Sequence, residues 1–367
     1  MKVVKVNLGK RSYEILIGKG AISKLSTLRK TQGLGRPFFV ITNKKINALH
    51  GKRLAAVLRK LSTKILFYEV PDSEKAKSFS VYIKAIRRLA SFAVKEKPII
   101  FAFGGGVVGD LAGFVASAYR RGVPYVQIPT TLLAQVDSAV GGKVAIDIEE
   151  AKNIVGNFYQ PGMVICDLHF LTTLPVKELR DGLTEIIKYG IIKDAKFFAY
   201  LEKNLKSVLK RRPAVLEHIV LKSCSIKARV VEKDELDTLD LRAMLNFGHT
   251  IGHAIEAATR YSGVLTHGEA VRAGMVMASI IALRLGMIDG NVCKKINSLI
   301  QREMPRLCLK GVSSGKILTA LSYDKKFIDG VNRFILPEKI GCVKIVENVP
   351  QALIKEVIES YKRGIRL

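Results

Sequence analysis

Between Pro98 and Pro129 the chain reads PIIFAFGGGVVGDLAGFVASAYRRGVPYVQIP. An apolar run meets consecutive glycines, then a stretch of small and apolar residues, then a second apolar run (125–129). Short apolar runs bounded by glycine and proline suit strands buried on both faces. Two such strands joined by a helix run parallel, because only a crossover connection returns the chain to the same end of the sheet. Gly104, Gly106 and Gly109 fit the spacing GxGxxG. Glycines there let backbone approach a phosphate, and the helix N-terminus offers free N–H groups and the positive end of its dipole. The standard dinucleotide fingerprint adds an acidic residue about 20 positions later. Here no Asp or Glu lies between Asp110 and Asp137. A tight turn packing strand against helix would use the same glycines, so the pattern alone leaves both readings open.

The surrounding chain extends the alternation. PFFVIT (37–42), KILFYEV (64–70), PIIFAF (98–103) and YVQIP (125–129) read as buried strands, and the N-terminal MKVVKVNLGKRSYEILIG alternates like a strand. KKINALHGKRLAAVLRKL and SFSVYIKAIRRLASFA read as helices between them. From about residue 171 long amphipathic stretches take over: VKELRDGLTEIIKYGII, PAVLEHIVLKSCSIKARVVEKDE, RAMLNFGHTIGHAIEAATR and HGEAVRAGMVMASIIALRLG. A short strand or two is expected near RFILPEKIGCVKIV (333–346). The expectation is an α/β, Rossmann-like N-terminal domain with a parallel sheet (1–170) and a mainly α-helical C-terminal domain (171–367). The active site would lie in the cleft between them. There is no internal repeat and no low-complexity segment.

The longest apolar region is interrupted by Asp110 and by glycines, so no membrane span is expected. The N-terminus lacks the apolar core and cleavage site of a signal peptide. Five cysteines without paired or CxxC spacing fit a reduced, cytoplasmic protein. The net charge of +28 raises nucleic-acid binding and an anionic substrate as possibilities. The cations are spread along the chain, however, and no basic stretch interleaves aromatics. Most of the charge is therefore read as solvated surface. Arg211 and Arg212, for example, are read as an exposed pair, replaceable with little effect on turnover, and no specific nucleic-acid partner is expected.

Three of the six histidines, His249, His253 and His267, fall within nineteen residues. Spacing alone nominates His249 and His253 as a ligand pair, because positions i and i+4 share one helix face. His267 follows a turn that could carry a second helix back alongside. A carboxylate could complete the set: Glu185 sits amid apolar residues, where an unpaired charge is costly, and Glu256 and Glu269 are local rivals.

Taken together, EKAKS (74–78), the block GGGVVGDLAGFVASAYRRGVPYVQIPTTLLAQVDSAVGGKVAID (104–147), KNIVGNFYQP (152–161), EIIKYGII (185–192), RAMLNFGHTIGHAIE (242–256), HGE (267–269) and DKK…G…RFILP (324–337) resemble the 3-dehydroquinate synthase family of sugar phosphate cyclases. The resemblance covers nearly the whole chain. It implies that Glu185, His249 and His267 hold one divalent metal, zinc or cobalt, and that His253 faces substrate instead. It implies NAD contacts from Asn43, Glu74, Lys77, Gly105, Gly106, Val107, Asp110, Thr130, Thr131 and Lys152. Asn43 stands where the family commonly has Asp. The implied substrate shell is Asp137, Lys143, Asn153, Lys188, Lys227, Arg242, Asn246, His253 and one of Lys325 or Lys326, with Lys143, Lys188, Asn153 and His253 the catalytic candidates. Arg121 would reach the neighbouring subunit of a homodimer.

The implied enzyme is a phosphate-eliminating carbon–oxygen lyase of the shikimate pathway. It would turn 3-deoxy-D-arabino-heptulosonate 7-phosphate into 3-dehydroquinate through transient oxidation by NAD, elimination, reduction and aldol closure. Rival readings are another sugar phosphate cyclase, such as a 2-deoxy-scyllo-inosose synthase, and a polyol dehydrogenase of the glycerol dehydrogenase type.

Overall fold

The computed structural model describes residues 1–27, 36–149, 151–259, 265–309, 311–322 and 331–364. In chain order its strands are β1 (Lys2–Val6), β2 (Tyr13–Gly18), β3 (Phe38–Asn43), β4 (Ile65–Val70), β5 (Ile99–Gly104), β6 (Tyr125–Pro129), β7 (Lys143–Ile146), β8 (Val155–Phe158), β9 (Met163–Asp167), β10 (Arg333–Lys339) and β11 (Cys342–Glu347). The longer helices are α1 (Lys52–Leu58), α2 (Phe79–Phe92), α3 (Gly106–Ala118), α4 (Val176–Lys193), α5 (Ala195–Leu209), α6 (Pro213–Lys233), α7 (His249–Ala258), α8 (His267–Arg284), α9 (Gly290–Gln301), α10 (Ser314–Ser322) and α11 (Gln351–Arg363). The chain forms two compact units, one of residues 1–179 with 211–236, the other of 180–210 with 237–367. The division is thus not a single cut: α6, one of the amphipathic stretches of the helical half, belongs to the first unit.

The first unit is built on a seven-stranded sheet of order β1-β2-β9-β6-β5-β3-β4, in which only the β1–β2 pair is antiparallel. Alternation along each strand supplies two cores. Phe39, Ile41, Ile100 and Ala102 pack with Leu89 of α2 and with Leu111 and Val115 of α3. Phe38, Val40, Ile99, Phe101 and Phe103 pack on the opposite face with Leu54 and Leu58 of α1. Burial on both faces explains why these strands read as unbroken apolar runs. β3, β4, β5 and β6 fall within a residue of where the sequence places them, with β4 at the sheet edge. β9 and the β7–β8 hairpin are additions, being shorter and less distinct in sequence.

The second unit is mainly helical, with the β10–β11 hairpin near its C-terminus. Its central helix is α8, which is buried along nearly its whole length. Helix α7 packs on it through glycines. A Cβ on Gly252 would come within 3.0 Å of the Val271 Cα, and one on Gly274 would overlap the Gly248 carbonyl oxygen. The sequence suggests one helix over 242–260, but the chain divides there. Leu241–Asn246 form a 3-10 stretch, Gly248 adopts φ +79°, and α7 starts only at His249. A left-handed φ is open to glycine and ends the helical pattern at that point.

Candidate active site

In the first unit, β5 delivers the chain to Gly105, which precedes the first turn of α3 in extended conformation and gives it no side-chain cap. The first turn of α3 opens with Gly106 and Val107 and carries no acidic residue. A Cβ on Gly105 would sit 3.2 Å from Thr131 Cγ2, and one on Gly106 would sit 3.0 Å from Ser138 Oγ. A Cβ on Gly109 would press against Gln127 of β6 at 3.0 Å. The glycines are compatible with both readings left open by the sequence: Gly109 seats helix on strand, and α3 has no side-chain cap at Gly105. Uncapped first-turn amides at the carboxyl end of a parallel sheet fit a dinucleotide pyrophosphate.

The charged residues beside this turn converge on Lys77. Its Nζ lies 2.8 Å from Asp110 Oδ2, contacts Asn153 Oδ1, and stands 3.8 Å from both Glu74 and Asp147. Lys152 Nζ is 3.9 Å from Glu74. Burial works against the Lys77 ammonium, but the surrounding carboxylates outweigh it and raise its pKa. Burial also raises the pKa of Asp110 and Glu74, with Lys77 opposing. Asp147, a residue the sequence does not single out, orders the cluster: its Oδ1 accepts from the Asn153 amide at 2.8 Å. Asn153 itself is held at φ +56°. The structure thus joins Asn153, expected at substrate, to Lys77, expected at the cofactor.

Asn43 ends β3. Its Oδ1 accepts from Ile46 N at 2.8 Å, and its Nδ2 donates to Asp72 Oδ1 at 2.7 Å. A carboxylate therefore stands next to the position that lacks one. Thr130 is buried, and Thr131 Oγ1 accepts from Ala134 N at 3.1 Å. Asp137 and Lys227 pair, with Nζ to Oδ1 at 2.6 Å and to the Asp137 carbonyl at 2.8 Å. Lys143 opens β7 with its Nζ 5.9 Å from the centre of the Phe158 ring. Arg121 is exposed in a tight turn at φ +62°.

In the second unit, Glu185 on α4 is 0% exposed, and neither of its oxygens accepts a hydrogen bond of ordinary geometry. Lys188, one turn on and also buried, touches Oε2. His249 Nε2 lies 3.6 Å and His267 Nε2 3.9 Å from Glu185 Oε1. The Nδ1 atoms point elsewhere: that of His249 donates to the Phe247 carbonyl at 3.2 Å, and that of His267 to Glu256 Oε2 at 3.2 Å. Burial lowers the pKa of His267, but Glu256 and then Glu185 outweigh it, and the net shift is upward.

Among the described residues, two groups bring three ligand atoms within 4.8 Å of one another: Glu185, His249 and His267, and His253, Glu256 and His267. His249 and His253 fall in different groups, against the pairing that i,i+4 spacing suggests. Their rings meet edge-on, with centroids 5.3 Å apart. Glu269 drops out of the contest because its Oε2 accepts from Thr266 N at 2.9 Å in a capping box at the start of α8. One carboxylate and two imidazoles, the carboxylate buried and lacking ordinary hydrogen bonds, fit a divalent cation with positions left open for a ligand. Arg242 is buried within the 3-10 stretch that ends at Asn246. Lys325 and Lys326 lie outside the described residues.

Two sequence-family models match the chain: 3-dehydroquinate synthase N-terminal over residues 67–181 and 3-dehydroquinate synthase C-terminal over 182–327. Relatives include 3-dehydroquinate synthases of Pelotomaculum thermopropionicum, 42% identical over 98% of this chain and 97% of that one, and of Desulforamulus reducens, 42% identical over 98% and 100%. Among solved structures, 2-epi-5-epi-valiolone synthase from Streptomyces hygroscopicus subsp. jinggangensis, with NAD+ and Zn2+ bound, superposes with a TM-score of 0.85 at 27% identity over 99% of this chain and all of that one. A 2-deoxy-scyllo-inosose synthase in complex with carbaglucose-6-phosphate, NAD+ and Co2+ gives a TM-score of 0.88 over 99% and 100%, and at 24% identity that likeness speaks for the fold.

Proposed function

The chain belongs to the 3-dehydroquinate synthase family, and from that membership and the geometry of its donor sets we propose how its residues share the work. The reaction converts 3-deoxy-D-arabino-heptulosonate 7-phosphate to 3-dehydroquinate and phosphate. The observation that carries the assignment of the centre is the buried Glu185 carboxylate, with two imidazole Nε2 atoms facing one of its oxygens. Glu185, His249 and His267 hold the divalent cation, zinc or cobalt. The Gly105–Val107 turn, Asn43, Glu74, Lys77, Asp110, Thr130, Thr131 and Lys152 hold NAD. When bound, the cation supplies Lewis-acid polarisation of a substrate oxygen, and the dinucleotide accepts and returns a hydride.

The remaining residues serve the substrate. It carries a carboxylate and a phosphate, and buried Arg242 and Lys188 supply cationic donors for such groups. Lys143, Lys227, Asn246 and Lys326 complete that shell. Asp137 orients the Lys227 ammonium through their 2.6 Å contact. His253, one turn along α7 from His249, holds or moves a proton at a substrate hydroxyl. Asn153 is fixed by Lys77 and Asp147, so its amide is presented in one orientation. We assign the chain to the cytoplasm, to aromatic amino acid biosynthesis by the shikimate pathway, and to a homodimer in which Arg121 reaches the neighbouring subunit. Among the described residues no helix is long and apolar enough to cross a membrane.

The test is direct. Purified protein, the heptulosonate phosphate, zinc and a catalytic amount of NAD should give 3-dehydroquinate and inorganic phosphate in equal amounts, identified by NMR. NADH absorbance should return to baseline. Steady accumulation of NADH without phosphate release would place the activity with the polyol dehydrogenases.

A further inference from the structure

The two histidines of the metal set are anchored differently. Each turns Nε2 toward Glu185 Oε1 and gives Nδ1 to another acceptor. For His249 that acceptor is a neutral backbone carbonyl two residues earlier, fixed by the chain itself. For His267 it is Glu256, eleven residues earlier on another helix. One imidazole cannot turn both nitrogens to the same ion. An ion beside Glu185 and His249 therefore takes His267 through Nε2, which leaves Nδ1 as the handle that sets the ring's tautomer and plane.

We propose that Glu256 is the positioning residue of the metal centre: it holds His267 by its Nδ1–H, aims Nε2 at the cation, and adds basicity through a charged acceptor. The proposal rests on the metal assignment above. His267 needs such a handle more than His249 does. His267 is the first residue of α8, and its side chain is 37% exposed against 10% for that of His249. Packing therefore does less to fix its ring. Glu256 lies seven positions after His249 on α7. That spacing puts it on the same helix face, and the α7–α8 glycine contact sets it against the start of α8. The carboxylate that appears in sequence as a rival ligand thus acts one bond further out.

The experiment compares Glu256→Ala and the near-isosteric Glu256→Gln with the unaltered protein. Zinc affinity is measured by competition with a chromophoric chelator, and the visible spectrum is recorded with cobalt in place of zinc. Glu256→Ala should lower zinc affinity by about 10–100-fold and change the cobalt bands. Glu256→Gln keeps a neutral acceptor and should recover part of the affinity and most of the spectrum. Unchanged affinity and bands in both variants overturn the proposal. So does complete loss of metal in both variants while His249→Ala keeps it, because Glu256 would then be a ligand with His253. Retention of metal by both Glu185→Gln and His249→Ala would instead strike the underlying metal assignment. A merely structural role for Glu256 would lower thermal stability without moving the cobalt bands.

Discussion

At the scale of single residues, the site shows how far spacing reaches. His249 and His253 look like a pair because their spacing assumes a helix running through both. α7 does run through both, but they fall in separate groups of ligand atoms, each of which is completed by His267 across a glycine contact on α8. The family resemblance implies Glu185, His249 and His267, one of the two groups whose ligand atoms come within 4.8 Å of one another among the described residues. Neither route finds Asp72 or Asp147, because each acts through a contact with a residue distant in sequence. The split yields a prediction: His249→Ala should lose metal, whereas His253→Ala should keep it and lose most of its turnover, with metal content read by elemental analysis. Equal metal loss would restore the spacing pair. A second prediction concerns Asp181, whose pKa burial pushes up to about 6 against the hydrogen bond it accepts from Thr266. Its folded pKa lies above the unfolded value, so the native state binds the extra proton between roughly pH 4 and 6. Stability from this group is present below that window and is lost as pH rises through it, by about 3 kcal/mol at most. In chelated protein, Asp181→Asn should therefore gain on the native chain between pH 4 and pH 8. A difference in unfolding free energy that stays flat with pH would refute the shift.

At the scale of elements, the sheet was the legible part, because burial on both faces writes each central strand as an unbroken apolar run. Helix ends were less legible. KKINALHGKRLAAVLRKL reads as one helix, yet Asn47–Gly51 form a π turn ahead of α1. Arg211 is less exposed than its sequence context suggests. In sequence it is half of an idle basic pair, but it is only partly exposed and donates to the Leu171 carbonyl at 3.0 Å and to that of Leu174. Arg211→Ala should cost about 1–3 kcal/mol, since it leaves carbonyls without their charged donor, while exposed Arg212→Ala should stay within about 0.5 kcal/mol. Equal effects in chemical denaturation would show that the contacts are not formed. The α7–α8 contact makes a sharper claim. Gly274→Ala places a methyl on the Gly248 carbonyl, and overpacking of this kind costs about 1–3 kcal/mol or more. Because His249 and His267 open the two helices concerned, zinc affinity should fall together with stability. A variant that lost stability but held zinc as tightly would show that the ligands are placed by some other contact.

At the scale of the whole molecule, the charge of +28 divides into two populations. Among the described residues the buried cations are Lys77, Lys188, Lys227, Arg242 and Arg272. Four of these belong to the proposed cofactor and substrate shells. The fifth, Arg272, donates to the Pro305 carbonyl at 2.9 Å and is structural. The other described cations are exposed or partly so, and their separate ion pairs with surface carboxylates contribute little in water. Their sum still matters, because many like charges on one molecule raise the local concentration of an anion and speed its encounter. A substrate bearing both phosphate and carboxylate is such an anion. The field should therefore act on capture and not on chemistry: kcat/KM should fall severalfold as salt rises from ~20 to ~300 mM, where the Debye length shrinks to a few ångströms, while kcat holds nearly constant. Replacing a set of exposed lysines remote from the site with glutamine should flatten that salt dependence and leave kcat alone. The same field predicts duplex DNA binding that is indifferent to sequence and fades steeply with salt, as counterion release requires. Salt-independent kcat/KM would show the surface charge to be inert in catalysis, and tight, sequence-selective binding at ~150 mM salt would mean that part of it is organised for nucleic acid.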